Sequence, residues 1–143
     1  MNSKRTWWTF ILLAALAGCS QQPATKEPDP QALLQTIPAA NSSQYESIRD
    51  MKRWRNPYLI VRTDGVALYD TADSAEIILK PDELLLALAK LPSADWPYGR
   101  VVAATENNLR LSEQDGVAIR KNKVIVGGLL QGAHIAVRWV PTT

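Results

Sequence analysis

The sequence has very few of the side chains that build metal and thiol chemistry. It contains one cysteine, Cys19, and one histidine, His134, among 143 residues. A single cysteine cannot form an intramolecular disulfide, and a conventional zinc site needs three or four histidine, cysteine or carboxylate ligands. No catalytic motif surrounds His134, so we interpret it as a structural residue of a terminal strand. We therefore predict no cofactor, no metal and no catalytic residue.

An excess of charge of one sign is also absent. The chain has 16 lysines and arginines against 14 acidic residues, a formal net charge of +2. Two of those cations, Lys4 and Arg5, precede the first apolar run, so residues 19–143 carry equal numbers of cations and acids. A protein that binds nucleic acid neutralises phosphates with a basic excess. We therefore predict no nucleic-acid partner.

Long hydrophobic runs are scarce, and the one that exists is short. It extends from Thr6 to Gly18 behind the basic pair Lys4-Arg5. As a helix it would measure ~20 Å at 1.5 Å per residue, whereas a membrane span needs about 20 residues. A basic start, a short apolar stretch and a small-residue end are the layout of a secretory signal peptide. We predict that residues 1–18 are this signal.

The apolar run ends in Leu16-Ala17-Gly18-Cys19. This ending resembles the lipobox of bacterial lipoproteins. The resemblance implies cleavage before Cys19, a diacylglycerol on its sulfur and usually a fatty acid on its amino group. Two or more acyl chains hold a protein stably at a membrane. Because Ser20 rather than aspartate follows Cys19, the resemblance also implies the periplasmic face of the outer membrane, with the inner membrane as the alternative.

The remaining chain divides into a tether and one domain. Residues 20–30 are polar and contain three prolines, a composition that cannot order itself by burying apolar surface. We predict that residues 19–42 form an acylated cysteine and flexible tether, in which 31–37 can add one helical turn. Extended proline-rich chain spans about 3.1 Å per residue, so the polar segment would reach ~30 Å. Residues 43–143 are predicted to form a single domain.

The clearest strand pattern is a hairpin. Two β-rich runs, Tyr58–Arg62 and Val66–Tyr69, flank Thr63-Asp64-Gly65, and an Asp-Gly pair between such runs favours a tight turn. Two further strands are predicted over Arg100–Thr105, buried on both faces, and His134–Val140. The stretch Ile77–Leu79 is either a short strand or the lead-in to a helix.

Two shorter helices follow from capping residues. Ser43 and Glu46 fit a capping box, which predicts a short amphipathic N-terminal helix over about 44–53. Pro81, with acids in the first turn, opens a second helix. Its predicted buried stripe consists of Leu84, Leu85, Leu88 and Leu91.

The region 112–132 has two interpretations. Ser112 and Asp115 fit a capping box, and a helix would place one apolar face on Val117, Val124, Ile125, Gly128 and Leu129. A hairpin turning at Lys121-Asn122 fits the same residues. We favour the helix, because Gly132 is a good helix stop before the last strand.

The order of elements after residue 57 is then β-β-α-β-α-β. Strands joined through helices predict a mixed sheet with right-handed crossovers. The fold class is α+β, a small two-layer sandwich with two helices on one face plus the short N-terminal helix. Over about residues 57–140 this topology resembles the periplasmic domains of the ExbD/TolR biopolymer-transport family. The chain lacks that family's acidic transmembrane helix, so the resemblance implies a small partner-binding domain near an envelope membrane rather than a motor.

One segment interleaves cations with aromatic residues. Such a cluster can bind anionic lipid headgroups, an acidic glycan or a partner protein. The alternative is a solvated face on which Trp54 packs against the sheet. Two aromatic residues of a Trp-Pro-Tyr-Gly loop either fill the core or make a further contact. The candidate contact residues are Arg49, Lys52, Arg53, Trp54, Arg55, Tyr58, Trp96 and Tyr98.

These patterns lead to a functional hypothesis. The chain is predicted to be a lipid-anchored, non-catalytic binding or scaffold domain of the cell envelope, with the membrane and an envelope protein as partners. The alternative is an enzyme or accessory subunit that acts on envelope glycan or lipid through carboxylates and arginines, since carboxylate pairs leave no short motif. A carrier of a small ligand is a third option, and it needs a large apolar pocket.

Overall fold

The computed structural model describes residues 26–69, 74–107 and 112–142. Cys19 and the signal segment lie outside the described residues. Five strands make up the sheet: β1 (Tyr58–Arg62), β2 (Gly65–Tyr69), β3 (Glu76–Leu79), β4 (Val101–Glu106) and β5 (Ala136–Trp139). The α-helices are α1 (Pro30–Gln35), α2 (Leu84–Ala89) and α3 (Glu113–Gly132).

The strands form one mixed sheet in the order β3-β2-β1-β4-β5. The predicted hairpin is confirmed, because β1 and β2 pair antiparallel and Tyr58 lies opposite Tyr69. β3 pairs antiparallel with β2, whereas β4 and β5 pair in parallel with β1 and β4. Of the two alternatives for Ile77–Leu79, the structure shows the strand. The α+β class and the mixed sheet predicted from the sequence are therefore confirmed.

The main core lies between the sheet and the three helices. Leu84 and Leu88 of the leucine-rich helix are fully buried, and Leu85 and Leu91 pack beside them. The sheet contributes alternate residues to this face, among them Leu59, Leu68, Val102 and Ala104. We call this side of the sheet the helix face, and its opposite the open face.

The long helix α3 is confirmed, but its buried side is not the predicted one. Ser112 and Asp115 form the predicted capping box. Val117 and Val124 are 55% and 75% exposed, while Ile119, Val126 and Leu130 fill the core. Each of these three is separated from the next by four or seven residues, the spacing of one helix face.

The folded part begins earlier than the predicted boundary at residue 43. Asp29 caps α1 through its side chain, which accepts a hydrogen bond from the Gln31 N–H. Leu34 and Ile37 are buried in the core of the helix face. Because these side chains remove apolar surface from water, residues 30–42 belong to the domain rather than to a tether.

The segment that follows crosses to the open face. The Arg100 N–H donates to Pro38 O at 2.8 Å, and the Asn41 N–H donates to Tyr98 O at 3.0 Å. Gly99 allows this close approach, since its φ is +76° and a Cβ there would lie 2.3 Å from Ala39 O. Residues 38–41 therefore lie directly along the start of β4.

The predicted helix over 44–53 is wrong. The structure has two short 3₁₀ turns instead, Ser42–Gln44 and Met51–Arg53. Ser43 donates to Asn41 Oδ1 rather than capping a helix, and Asp50 accepts from the Lys52 N–H. Short polar side chains that bond nearby backbone compete with helix formation, and the apolar residues of this segment pack onto the sheet.

Candidate functional site

Residues 42–56, which we call the covering segment, lie over β4 on the open face, but β1, β2 and β3 are partly uncovered beside them. A groove of about 410 Å³ lies where this segment ends. The 3₁₀ turn supplies one wall of the groove, and the sheet supplies its floor. The lining residues are Met51, Lys52, Trp54, Tyr58, Ile60, Tyr69 and Glu76.

The floor of the groove follows from the strand register. Glu76, Tyr69 and Tyr58 lie opposite one another across β3, β2 and β1, so their side chains share the open face. The rings of Tyr58 and Tyr69 meet edge to face, with centroids 6.4 Å apart. This arrangement presents aromatic edges and faces to anything that enters the groove.

Buried hydrogen bonds hold the covering segment in place. Asn56 is 1% exposed, and its Nδ2 donates to Gly99 O at 2.7 Å and to Val101 O at 2.8 Å. Its Oδ1 accepts from the Tyr98 N–H at 2.9 Å. The guanidinium of Arg138 donates to the carbonyls of Tyr45 and Ile48. The wall of the groove is thus fixed to β4 and β5.

An aromatic cluster supports the same wall. Trp54 is 1% exposed and packs against Tyr45 and Tyr98 with centroid distances of 5.8 and 5.3 Å. Its Nε1 donates to Pro57 O at 3.2 Å. Of the two alternatives for Trp54, the structure shows the one in which it packs on the sheet. At 1% exposure it supports the groove wall and is too buried to serve as a surface contact, although its ring borders the groove.

Positive charge borders the groove on one side. Residues 49–55 contain four cations and one acid, Asp50. The side chains of Arg49, Lys52, Arg53 and Arg55 are exposed, and within residues 26–69, 74–107 and 112–142 none of them forms an ion pair. On the other side, Glu76 and Asp64 neutralise Arg62 at 3.5 and 3.1 Å. The uncompensated charge therefore lies on the covering segment.

The position of Tyr58 in the groove changes the pKa of its phenol. Partial burial raises the pKa of the Tyr58 phenol, and a hydrogen bond with Thr105 acts in the opposite direction. Burial disfavours the phenolate because it removes the charge from water. Tyr58 is therefore a neutral hydroxyl near neutral pH, able to donate or accept a hydrogen bond.

The structure brings some of the candidate residues together and separates another. Lys52, Trp54 and Tyr58 line the groove, and Tyr98 supports it through a hydrogen bond from its hydroxyl to Arg53 O at 3.3 Å. Trp96 does not belong to this site. It is 3% exposed and lies in the core of the helix face, so it cannot serve as a surface contact.

Sequence reasoning missed four residues of the lining. Tyr69 could have been found from the hairpin, because a turn at residues 63–65 sets it opposite Tyr58. Ile60 shares the face of Tyr58 by strand alternation. Met51 was placed on a helix, and Glu76 belongs to the strand that the sequence left undecided, so neither could be assigned.

Other kinds of site receive no support over the described part of the chain. Among those residues, no cluster of three histidine, cysteine or acidic side chains that could hold a metal ion is found. Nor does any helix within them combine the length and the hydropathy needed to cross a bilayer.

Comparison with known proteins adds no identification. No protein-family model, no curated protein and no solved structure matches this chain. The lipobox and ExbD/TolR resemblances therefore remain expectations.

Proposed function

We propose that this protein is a lipid-anchored, non-catalytic binding domain of the bacterial envelope, and that the groove on the open face is its binding site. The observation that carries the proposal is the juxtaposition of an aromatic groove with exposed, unpaired cations on the segment that walls it. The lipobox-like ending at Cys19 supports the anchor and, with Ser20, the periplasmic face of the outer membrane. The inner membrane is the alternative location.

The groove favours a protein partner of a particular chemistry. A volume of about 410 Å³ accommodates one or two large side chains. Tyr58, Tyr69 and Ile60 suit an apolar or aromatic side chain, and such anchors supply most of the binding energy in interfaces. The cations at 49–55 suit neighbouring carboxylates, which they would also steer into place. We therefore infer a partner segment with an aromatic or aliphatic anchor beside acidic residues.

An enzymatic role has less support. Hydrolysis of a glycan by the common routes needs a pair of carboxylates on either side of the scissile bond. Among the described residues, Glu76 is the one carboxylate that lines the groove, and it already pairs with Arg62 at 3.5 Å. The topological resemblance to ExbD/TolR domains is consistent with partner binding as well.

The binding proposal is tested by a photo-crosslinking amino acid placed at Met51 in the full chain, in its own cells. The expected result is one defined adduct that decreases at least tenfold with Ile60→Lys, which blocks the groove, and with the double change Arg53→Glu and Arg55→Glu. Lys90→Glu is the matched control, because Lys90 is exposed at the end of α2. An adduct that survives both groove variants contradicts the proposal.

The anchor is tested separately. Labelled palmitate should enter the wild-type protein and not Cys19→Ala, because the thiol is the acceptor that the lipobox resemblance implies. Equal labelling of both proteins would contradict the lipid anchor while leaving the groove proposal intact.

A further inference from the structure

A second surface, the outer edge of β3, is suited to pairing with another strand. β3 is the last strand of the sheet on its side, and among the described residues no strand pairs with its outer edge. Exposed edges are usually protected by proline, lysine or a bulge within the strand. β3 reads Glu-Ile-Ile-Leu and pairs with β2 without interruption over four residues, so within the strand it has no proline, lysine or bulge. Its protection is limited to its short length, Glu76 at its start and Lys80-Pro81 after its end.

Large apolar side chains are exposed on both faces of this edge. Ile77 is 53% exposed on the helix face, and Ile78 is 52% exposed on the open face. Each points away from the sheet plane at the place where a further strand would lie beside it. A strand added at this edge would cover both at once.

The backbone groups of the edge point outward at Ile78. A Cβ at Gly65 would lie 2.2 Å from Leu79 O, so the Leu79 carbonyl is directed toward β2. In an antiparallel pair the peptide groups of successive residues point to opposite sides. The N–H and C=O of Ile78, and likewise those of Glu76, are therefore directed outward.

We propose that two copies of this chain associate through their β3 strands, which pair antiparallel about a twofold axis at Ile78. In this register Glu76 lies opposite Lys80 of the second copy, and Ile77 lies opposite Leu79 of the second copy. The Ile78 residues exchange two backbone hydrogen bonds, as directly opposed residues do in a hydrogen-bonded pair. The result is a continuous sheet of ten strands.

The charges of the strand identify the occupant as a second copy. Glu76 and Lys80 are both exposed, and Lys80 has an extended backbone with φ −69° and ψ 152°. Antiparallel pairing of identical strands places the opposite charges next to each other twice, which stabilises the pair. The Glu76 carboxylate, 3.5 Å from Arg62, would then be shared between Arg62 and Lys80 of the second copy. Parallel pairing in register would place like charges together. The Lys80 N–H already donates to Glu83 Oε2 at 2.9 Å, so the strand pair ends there.

The interface and the groove share Glu76 but are distinct surfaces. The inference does not depend on the proposed function, since it rests on the edge of β3 and not on the cations of the covering segment. An interface of one short strand is small, and we expect a weak dimer whose population depends on concentration.

The test is a charge exchange measured by analytical ultracentrifugation of the full chain in detergent, with Cys19→Ala to remove the native thiol. The Cys19→Ala protein with Glu76 and Lys80 unchanged should give a concentration-dependent dimer. Glu76→Lys alone and Lys80→Glu alone should each weaken dimerisation at least fivefold, and the double change should restore it. Ile78→Lys should give a monomer, whereas Val124→Lys, an exposed change on α3, should leave the dimer intact.

Crosslinking gives the register independently. Ile78→Cys in the Cys19→Ala background should join two copies through a short bismaleimide, and Val124→Cys in the same background should not. Thermal melting by circular dichroism confirms that each variant is folded. A monomer at all accessible concentrations, a dimer insensitive to Ile78→Lys, or failure of the double charge change to restore pairing would each overturn the proposal.

Discussion

Asn56 is the side chain whose replacement should reveal most about how the groove is held together. Three hydrogen bonds join it to the backbone of Tyr98, Gly99 and Val101, with distances between 2.7 and 2.9 Å. Asn56→Asp keeps the shape of the side chain but removes both N–H donors. The carbonyls of Gly99 and Val101 would then face a carboxylate oxygen that has nothing to donate.

The magnitude follows from these contacts. The two lost hydrogen bonds cost about 1 kcal/mol each, and leaving both carbonyls unpaired beside a buried charge adds about 1 kcal/mol more. We expect Asn56→Asp to lower the free energy of unfolding by about 3 kcal/mol. For a domain of this size 1 kcal/mol corresponds to ~4 °C, so the melting temperature should fall by ~12 °C.

Circular dichroism melts at neutral pH measure this directly. Asn41→Asp is the matched control. Asn41 is exposed, and its side-chain oxygen accepts a hydrogen bond from the Ser43 hydroxyl. The carboxylate of an aspartate can accept the same hydrogen bond. We expect the control to melt within ~2 °C of the wild type. If Asn56→Asp melts as late as the control, the buried amide does not hold the covering segment to β4, and the account of the groove wall is wrong.

Three further predictions concern packing, backbone and pH. Val126→Ala should lower the free energy of unfolding by about 2 kcal/mol because Val126 is fully buried, whereas Val124→Ala at 75% exposure should be nearly neutral in urea melts. Gly128→Ala should stabilise α3 by about 0.5–1 kcal/mol, because a Cβ there meets nothing within 4 Å, and Gly99→Ala should destabilise because its Cβ would meet Ala39 O. Burial raises the pKa of Tyr58, so the neutral phenol contributes stability fully below pH ~10, and that contribution is lost as pH rises through the folded pKa. Tyr58→Phe should therefore flatten the decline in melting temperature above pH 10, and equal slopes for both proteins would contradict this.

Local patterns predicted the parts of the fold that depend on local chemistry. The Asp-Gly turn, the leucine stripe around Leu84 and Leu88, and the capping box at Ser112 each specify an element through neighbours in the chain. These elements are found where the sequence placed them. The fold class then follows from the order in which strands and helices alternate, so α+β could be predicted from local patterns alone.

The covering segment could not be predicted, because distant residues determine its structure. Its polar residues satisfy capping rules, yet Asn56 bonds β4, and Arg138 from the last strand bonds the carbonyls of Tyr45 and Ile48. These contacts override a weak helical preference. The groove lies between this segment and the hairpin. The sequence named Lys52, Trp54 and Tyr58 as candidates, but only the hairpin side, whose register follows from the turn, could have been positioned from it.

The prediction of which side of α3 is buried was wrong for a related reason. Val117 and Val124 are more apolar than several of their neighbours, but exposed valines are common on protein surfaces. The face that Ile119, Val126 and Leu130 define is selected by contact with the sheet. Hydrophobicity alone did not separate these two faces.

Contacts between the two ends of the domain have a consequence for how the chain folds. Hydrogen bonds from Gln35 to Ala133 and from Arg138 to Tyr45 and Ile48 join positions 90 to 98 residues apart. Such long-range closure slows folding, because the entropy of the intervening loop is lost before the contacts form. A chain made from its N-terminus contains Ile48 and Trp54 before Val101 and Ala103 of β4, on which they pack, and before Arg138 of β5, which holds their segment. The nascent chain therefore exposes these apolar side chains until β4 and β5 have been made, an interval in which a holdase chaperone would find a binding surface on it.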